Sequence, residues 1–151
     1  MNTVSGTPSD NSVVGTAGAE IIAGRAGSDT LTGGAGSDVF FWGPADADGS
    51  TDTITDFITG TGGDVLHLES VLVNEIGREF GAFDNFNIQD YISITTGVNT
   101  TLTLDADATG GFTDLTIILE GIDLSGLGGT DEAILQSLIN SGNLKVSSDL
   151  T

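Results

Sequence analysis

A nine-residue repeat near the start of the chain is the feature that most constrains its fold. Residues 15–41 divide into GTAGAEIIA, GRAGSDTLT and GGAGSDVFF, and a less regular unit precedes them from residue 6. Glycine dominates the first and fourth positions, an acidic or amide residue fills the sixth, and an apolar residue fills the eighth. Four columns that agree over four units predict that each unit is one structural repeat.

Each unit predicts a short strand that follows a turn. The eighth-position residues are apolar and lie at the centre of three-residue strands, so we expect them to point inward. They are Val13, Ile22, Leu31 and Phe40. In the preceding six residues, glycine allows positive φ angles and lets backbone carbonyls converge. The sixth-position side chain then lies beside these carbonyls, and such oxygens are the ligands that calcium prefers. Plain solvated turns would explain the composition but not the phase.

The charge of the chain supports a cation as its partner. The 151 residues include 22 acidic and 3 basic side chains, for a formal net charge of -19. Such a surface repels nucleic acid and anionic membranes, so we expect no nucleic-acid partner. A hydrophobic content of 38% argues against a disordered chain. Because there is no cysteine, the sequence predicts a hard cation with oxygen ligands.

The repeats resemble those of the repeats-in-toxin (RTX) family of secreted bacterial proteins. The resemblance implies a parallel β-roll in which two nonapeptides make one coil and turns two repeats apart are stacked. It implies several Ca²⁺ ions, each held between stacked turns by sixth-position side chains and by carbonyls of the first, third and fourth positions. The implied side-chain pairs are Glu20 with Asp38, and Asn11 with Asp29; the Asp29 and Asp38 turns are expected to bind best. The implied carbonyl donors are Gly15, Ala17, Gly18, Gly24, Ala26, Gly27, Gly33, Ala35 and Gly36.

Further carboxylates follow the regular repeats. We expect FFWGP to end the roll, with Trp42 covering the open end of the apolar stack. The later stretches resemble the segment after RTX repeats and predict at least one more calcium; the alternative is a plain strand with polar outer positions. Asp56 is in phase with Asp38, and we expect these two to face each other. The additional candidate ligands are Asp46, Asp48, Asp52, Asp56 and Asp64.

The second half predicts a β-rich cap. Alternating residues on either side of 97–99 predict a β-hairpin, and LTIILEGIDL predicts another strand. The aromatic residues Phe80, Phe83, Phe86 and Tyr91 are interpreted as packed core. In DADATG, Asp105, Asp107 and Thr109 alternate as in a calcium loop, although a hydrated polar loop is an equal alternative. The predicted fold class is all-β: a parallel β-roll of nonapeptides, then a small β-rich capping region with a C-terminal helix. We expect residues 1–66 to form the roll and its continuation and 67–151 the cap with the secretion signal, as one continuous structural unit.

The end of the chain predicts a helix. Thr130 is suited to cap its start, Gly142 to end it, and apolar residues recur on one side. They are Ile134, Leu135, Leu138 and Ile139. This layout resembles the C-terminal target of type I secretion substrates. The first residues have no signal-peptide pattern and no run of about 18 apolar residues occurs. We therefore expect a secreted or cell-surface monomer, without a transmembrane segment, whose partner is the type I secretion machinery.

No catalytic motif accompanies His67, the single histidine, so we expect a non-enzymatic protein. The leading hypothesis is a calcium-dependent folding and secretion module at the C-terminus of a larger secreted protein, an adhesin. One alternative is a sugar- or ice-binding module; its candidate residues are Thr30, Thr32, Thr51, Thr53 and Thr55. These threonines are not expected to form a column over several coils. Another alternative is the C-terminal part of a secreted calcium-dependent hydrolase.

Overall fold

The structure, a computed structural model, describes residues 1–76, 88–106 and 114–146. It consists mainly of short strands in two sheets, with two α-helices in this part of the chain. The strands are β1 Asn2–Ser5, β2 Ser12–Val14, β3 Glu20–Ala23, β4 Thr30–Thr32, β5 Val39–Phe41, β6 Thr51–Ile54, β7 Val65–His67, β8 Ile92–Thr95, β9 Thr100–Leu104, β10 Leu115–Leu119 and β11 Leu144–Lys145. The helices are α1 Glu69–Ile76 and α2 Asp131–Ser141.

Successive nonapeptides alternate between the two sheets, which confirms the predicted roll. The first sheet has the order β1-β3-β5-β7-β11, and its strands all pair in parallel. In the second sheet, β2, β4, β6 and β10 pair in parallel. The four eighth-position side chains are at most 5% exposed, because the pleat turns them between the sheets. The apolar core therefore lies inside the coil.

The C-terminal half extends both sheets rather than forming separate layers. The predicted hairpin is present as the antiparallel pair β8 and β9, and the predicted third strand is β10. β10 pairs with β6 of the roll, and β11 pairs with β7. β7 spans Val65–His67, so it crosses the boundary expected between residues 66 and 67. The two regions share both sheets and one hydrophobic core.

The expectation that Trp42 covers the end of the apolar stack is wrong. The first sheet continues beyond β5 through β7 and β11, so the stack does not end at Phe41. Trp42 is fully buried within the core, and its indole nitrogen contacts Asp52 instead. Sequence phase could not predict this, because the turns on either side of β6 are longer than nonapeptide turns.

The predicted C-terminal helix is confirmed together with both of its end residues. The Thr130 hydroxyl accepts from the Ala133 N–H, and Gly142 adopts the left-handed conformation that ends α2. Tyr91 is buried, in agreement with the predicted aromatic core, whereas Phe80, Phe83 and Phe86 lie outside the described residues. In the described ranges, no helix is long and apolar enough to cross a membrane.

Candidate metal centre

Sixth-position residues form one column along each edge of the roll. We call the edge that carries Asn11, Asp29 and Asp52 the first edge. The backbone N–H of Asn11 donates to Asp29 Oδ1 at 2.8 Å, and the N–H of Asp29 donates to Asp52 Oδ1 at 2.8 Å. Each carboxylate thus fixes the turn of the preceding coil.

The second edge carries Glu20, Asp38 and Asp64 in the same arrangement. The Glu20 N–H donates to Asp38 Oδ1 at 2.8 Å, and the Asp38 N–H donates to Asp64 Oδ1 at 2.9 Å. The structure therefore brings together both pairs that the repeat spacing implied, Glu20 with Asp38 and Asn11 with Asp29.

Asp56 does not face Asp38 as its phase predicted; Asp64 takes that place. Asp56 instead accepts the N–H groups of Gly33 at 2.9 Å and Gly34 at 2.8 Å. The turn between β6 and β7 is longer than a nonapeptide turn, so counting in nines places the wrong carboxylate in the column. Asp56 still braces the turn that holds Asp38.

In the first turn on each edge, a threonine of the same turn donates hydrogen bonds to the sixth-position side chain. The Thr7 N–H and hydroxyl both donate to Asn11 Oδ1, at 2.5 and 3.2 Å. The Thr16 N–H donates to Glu20 Oε2 at 2.8 Å, and its hydroxyl donates to Glu20 Oε1. These hydrogen bonds hold the pKa of Glu20 below its usual value. We call residues 6–11 and 15–20 the closed turns.

The second turn on each edge leaves one carboxylate oxygen without a partner. Asp29 Oδ2 and Asp38 Oδ2 are buried and accept no hydrogen bond in the described part of the chain. Arg25 and Gly34 occupy the position that threonine holds in the closed turns, and neither donates to these oxygens. We call residues 24–29 and 33–38 the open turns. A buried carboxylate oxygen without a donor is costly, so each open turn fits a cation.

The charge environment of the open turns also favours a cation. Burial raises the pKa of Asp29, and the carboxylates of Asp10, Asp46 and Asp48 raise it further. Burial likewise raises the pKa of Asp38, with a contribution from Glu20 and Asp56. Like charges that converge on a buried acid favour its protonated form unless a positive ion is present. Asp48 Oδ2 accepts the Gly27 N–H of the same open turn at 2.8 Å, so Asp48 is a candidate ligand of the first edge, whereas Asp46 Oδ2 accepts the Gly43 N–H at 2.7 Å.

Backbone carbonyls stand close to the sixth-position side chains. A Cβ atom added at Gly6 would collide with Asn11 Oδ1 and would lie 2.7 Å from the Gly24 carbonyl oxygen. At Gly15, an added Cβ would meet the Gly33 carbonyl oxygen and Glu20 Oε2. A carbonyl oxygen and a sixth-position oxygen therefore exclude a side chain at Gly6 and Gly15, and the carboxylates of Asp29 and Asp38 exclude one at Gly24 and Gly33.

The fourth-position glycines serve the stacking of turns. Gly27 and Gly36 have φ angles of 98° and 124°, which L-amino acids with side chains rarely adopt. A Cβ at Gly36 would come within 2.8 Å of the backbone of Gly18, one coil earlier. Close stacking of this kind is what an ion between two turns needs.

The other predicted ligands have mixed outcomes. The third-position residues Ala17, Ala26 and Ala35 lie in the turns between strands, as predicted. Asp64 and Asp105 are buried, whereas Asp107 and Thr109 lie outside the described residues. In the residues that the structure describes, no three His, Cys, Asp or Glu side chains form a metal site by themselves. Carbonyl oxygens would therefore have to supply much of the coordination, as the repeat pattern implies.

Sequence reasoning missed two groups that complete the columns. The Trp42 indole N–H donates to Asp52 Oδ2 at 2.7 Å, and the Ile58 N–H donates to Asp64 Oδ2 at 2.8 Å. Neither contact has a sequence signal, because each joins a residue of an irregular segment to a carboxylate whose place in the column is not set by the nonapeptide phase. The threonines of the closed turns do have a sequence signal, because Thr7 and Thr16 stand at the second repeat position, where the later unit has Gly34.

Comparison with known proteins identifies the repeats. Residues 14–43 match the model of the RTX calcium-binding nonapeptide repeat (4 copies). Among solved structures, the chain is similar to the AlgE6R3 subunit from the Azotobacter vinelandii mannuronan C5-epimerase, at 24% identity. That similarity covers 78% of this chain and 77% of that chain, with a TM-score of 0.31. No curated protein matches the chain.

The chain therefore contains RTX nonapeptide repeats, and repeats of this family bind calcium. The buried, unpartnered oxygens of Asp29 and Asp38 fit that ion. When bound, calcium would supply positive charge to oxygens that the protein leaves without donors.

Proposed function

We propose that this chain is a calcium-dependent folding and type I secretion module at the C-terminal end of a larger secreted protein, an adhesin. The observation that carries the proposal is the pair of open turns, whose buried Asp29 and Asp38 each keep one oxygen without a donor. An acidic roll of this kind is stable only when a cation neutralises its turns.

Calcium would then act as the switch between export and folding. Bacterial cytosol keeps free calcium far below the affinity range of extracellular modules, so the chain would stay unfolded inside the cell. An unfolded chain passes a narrow channel. Outside, calcium would order the open turns, and each coil would then stack on its neighbour as in other linear repeats.

The C-terminal region would supply the template and the export signal. β11 pairs with β7 and α2 packs its apolar side against the common core, so this region covers the last coil of the roll. Its proposed partner is the type I secretion machinery. We propose that the module is non-enzymatic and monomeric.

An export assay tests the proposal. The chain is fused behind a reporter, co-expressed with a type I exporter, and secretion is measured at several external calcium concentrations. Deletion of residues 134–151 should abolish secretion while leaving the upstream roll in the fusion. The matched control is deletion of residues 1–14, which should leave secretion intact. Secretion that survives the first deletion would contradict the proposed signal.

A second candidate function rests on the outer face of the second sheet. The threonines of β4 and β6 meet in pairs, Thr30 with Thr53 and Thr32 with Thr55, and the row that Thr30 and Thr53 begin continues into β10, β9 and β8 of the cap. One row runs through Thr30, Thr53, Ile118, Thr101 and Thr95 in register. A neighbouring row runs through Thr51, Thr116, Thr103 and Ser93. We propose that this uncharged hydroxyl array is suited to ice, because no position in either row carries an aromatic ring for stacking on a sugar.

Partition of the protein into slowly growing ice tests the second candidate. The variant Thr53→Lys places a charge in the centre of the first row and should abolish enrichment in the ice. Thr3→Lys, on an exposed position of β1 in the other sheet, is the matched control and should change nothing. Exclusion of the unmodified protein from ice would remove this candidate.

A further inference from the structure

A buried contact between Trp42 and Asp52 stands at the last position of the first-edge column. The indole Nε1–H donates to Asp52 Oδ2 at 2.7 Å, and both side chains are fully buried. Asp52 Oδ1 accepts the Asp29 N–H at 2.8 Å. Both oxygens of this carboxylate therefore have a donor from the protein.

The middle position of the same column differs in one respect. Asp29 Oδ1 accepts the Asn11 N–H, just as Asp52 Oδ1 accepts the Asp29 N–H. Asp29 Oδ2, however, has no donor, whereas Asp52 Oδ2 has the indole. Asp29 and Asp52 thus hold the same place in the column, but only Asp52 has a protein donor for its second oxygen.

The neighbouring strand explains why the column ends there. β10 follows β6 in the second sheet, and Ile117 is the residue paired with Asp52. Ile117 is fully buried, so the next coil supplies an apolar side chain where earlier coils supply a carboxylate. In an apolar core, a side-chain N–H group satisfies a buried carboxylate oxygen by itself. A cation at the same place would need further oxygen ligands.

We propose that the Trp42 indole, and not a calcium ion, satisfies Asp52, so that cation positions on the first edge end at Asp29. This rests on the proposed calcium role of the open turns. Trp42 is then a positioning residue: through Asp52 it holds the Asp29 backbone, and so sets where the open oxygen of Asp29 lies. Asp52 itself is not a calcium ligand.

Calcium stoichiometry, measured by calorimetric titration of the whole chain, tests the proposal. Asp52→Asn should leave the number of bound ions unchanged, whereas Asp29→Asn should lower it by one. The double variant Trp42→Phe/Asp52→Asn removes the charge together with its donor and should also keep the full number. Loss of one ion in either Asp52 variant would overturn the proposal. If the unmodified chain binds no calcium, the proposed function fails instead.

A double-mutant cycle tests the link between Trp42 and Asp52. Trp42→Phe should lower the urea midpoint by a larger amount with Asp52 present than with Asp52→Asn, because a neutral amide needs the donor less. Phe57→Leu changes a buried aromatic residue without such a donor and should have equal effects in both backgrounds. Equal effects of Trp42→Phe in both backgrounds would show that the ring only packs, and would overturn the positioning role.

Discussion

The closed and open turns have the same backbone plan but satisfy their sixth-position side chains differently. In the closed turns, Thr7 and Thr16 donate both an N–H and a hydroxyl to Asn11 and Glu20. In the open turns, one oxygen each of Asp29 and Asp38 has no donor. The difference depends on the second residue of the repeat. A threonine at this position donates hydrogen bonds to oxygens that a cation would otherwise bind. A repeat array can therefore depend on metal in its middle units and not in its first units.

The largest expected effect of this difference is on calcium removal. With a dissociation constant of about 10⁻⁴ M, each site contributes about 1.4 kcal/mol at tenfold higher calcium. Without calcium, the buried unpartnered oxygens of the open turns add a further cost. Since domain stability is only about 5–15 kcal/mol, the roll should be largely unfolded in chelator. Circular dichroism and melting temperature measure this. Identical values in calcium and in chelator would contradict the metal dependence of the open turns.

Alanine substitutions should affect stability and the calcium midpoint differently in the two kinds of turn. Asp38→Ala removes the open oxygen and also the acceptor of the Glu20 N–H, a charged hydrogen bond of about 1.5–3 kcal/mol. We expect it to lower stability in calcium by about that amount and to raise the calcium midpoint of folding. Asn11→Ala, in a closed turn at the start of the roll, should cost about 1 kcal/mol or less and leave the midpoint unchanged. A calcium titration followed by circular dichroism gives both values. A larger midpoint change for Asn11→Ala would reverse the comparison.

The dependence of stability on pH should differ with and without calcium. Burial raises the pKa of Asp52 from 3.8 to about 6, and burial also raises the pKa of Asp29, Asp38 and Asp64. An acid with a raised pKa in the folded state stabilises that state below its unfolded pKa and loses this contribution as pH rises. In chelator, stability should therefore fall between about pH 4 and pH 7.

The size of the pH effect is modest. At about 1.4 kcal/mol per pKa unit, Asp52 accounts for about 3 kcal/mol at most, and about 2 kcal/mol after solvent screening. In saturating calcium the ionised Asp29 and Asp38 bind the ion, so their contribution to stability should rise over the same range, while that of Asp52 still falls. Circular dichroism in chelator, which follows the folded fraction at pH 4 and pH 7, and urea unfolding in saturating calcium at the same two pH values measure the two slopes. A rise with pH in chelator would contradict the burial of these acids.

Much of the roll follows from the sequence, because strand, inward residue and turn repeat in one phase. The four eighth-position side chains are buried as predicted, and Thr130 and Gly142 bound α2 as predicted. Beyond residue 41 the phase fails. Column neighbours are 18 residues apart in the repeats, but 23 residues separate Asp29 from Asp52 and 26 separate Asp38 from Asp64. The extra residues form irregular turns whose length is set by packing against the cap, and no local pattern encodes it.

The smallest expected effect concerns the residue that distinguishes the two kinds of turn. Thr16→Val keeps the size of the side chain and removes the hydroxyl that donates to Glu20 Oε1, so a closed turn becomes partly open. At the lowest calcium concentration that keeps the roll folded, we expect a loss of about 1 kcal/mol, the ordinary contribution of such a hydrogen bond. In saturating calcium the loss should shrink, because Glu20 then has an oxygen available to a cation. Thr30→Val, an exposed threonine in β4 with no carboxylate partner among the hydrogen bonds described, is the matched control. Urea unfolding of both variants at these two calcium concentrations measures the difference. If Thr16→Val costs the same in both conditions, the hydroxyl does not substitute for an ion, and the closed turns owe their stability to some other contact.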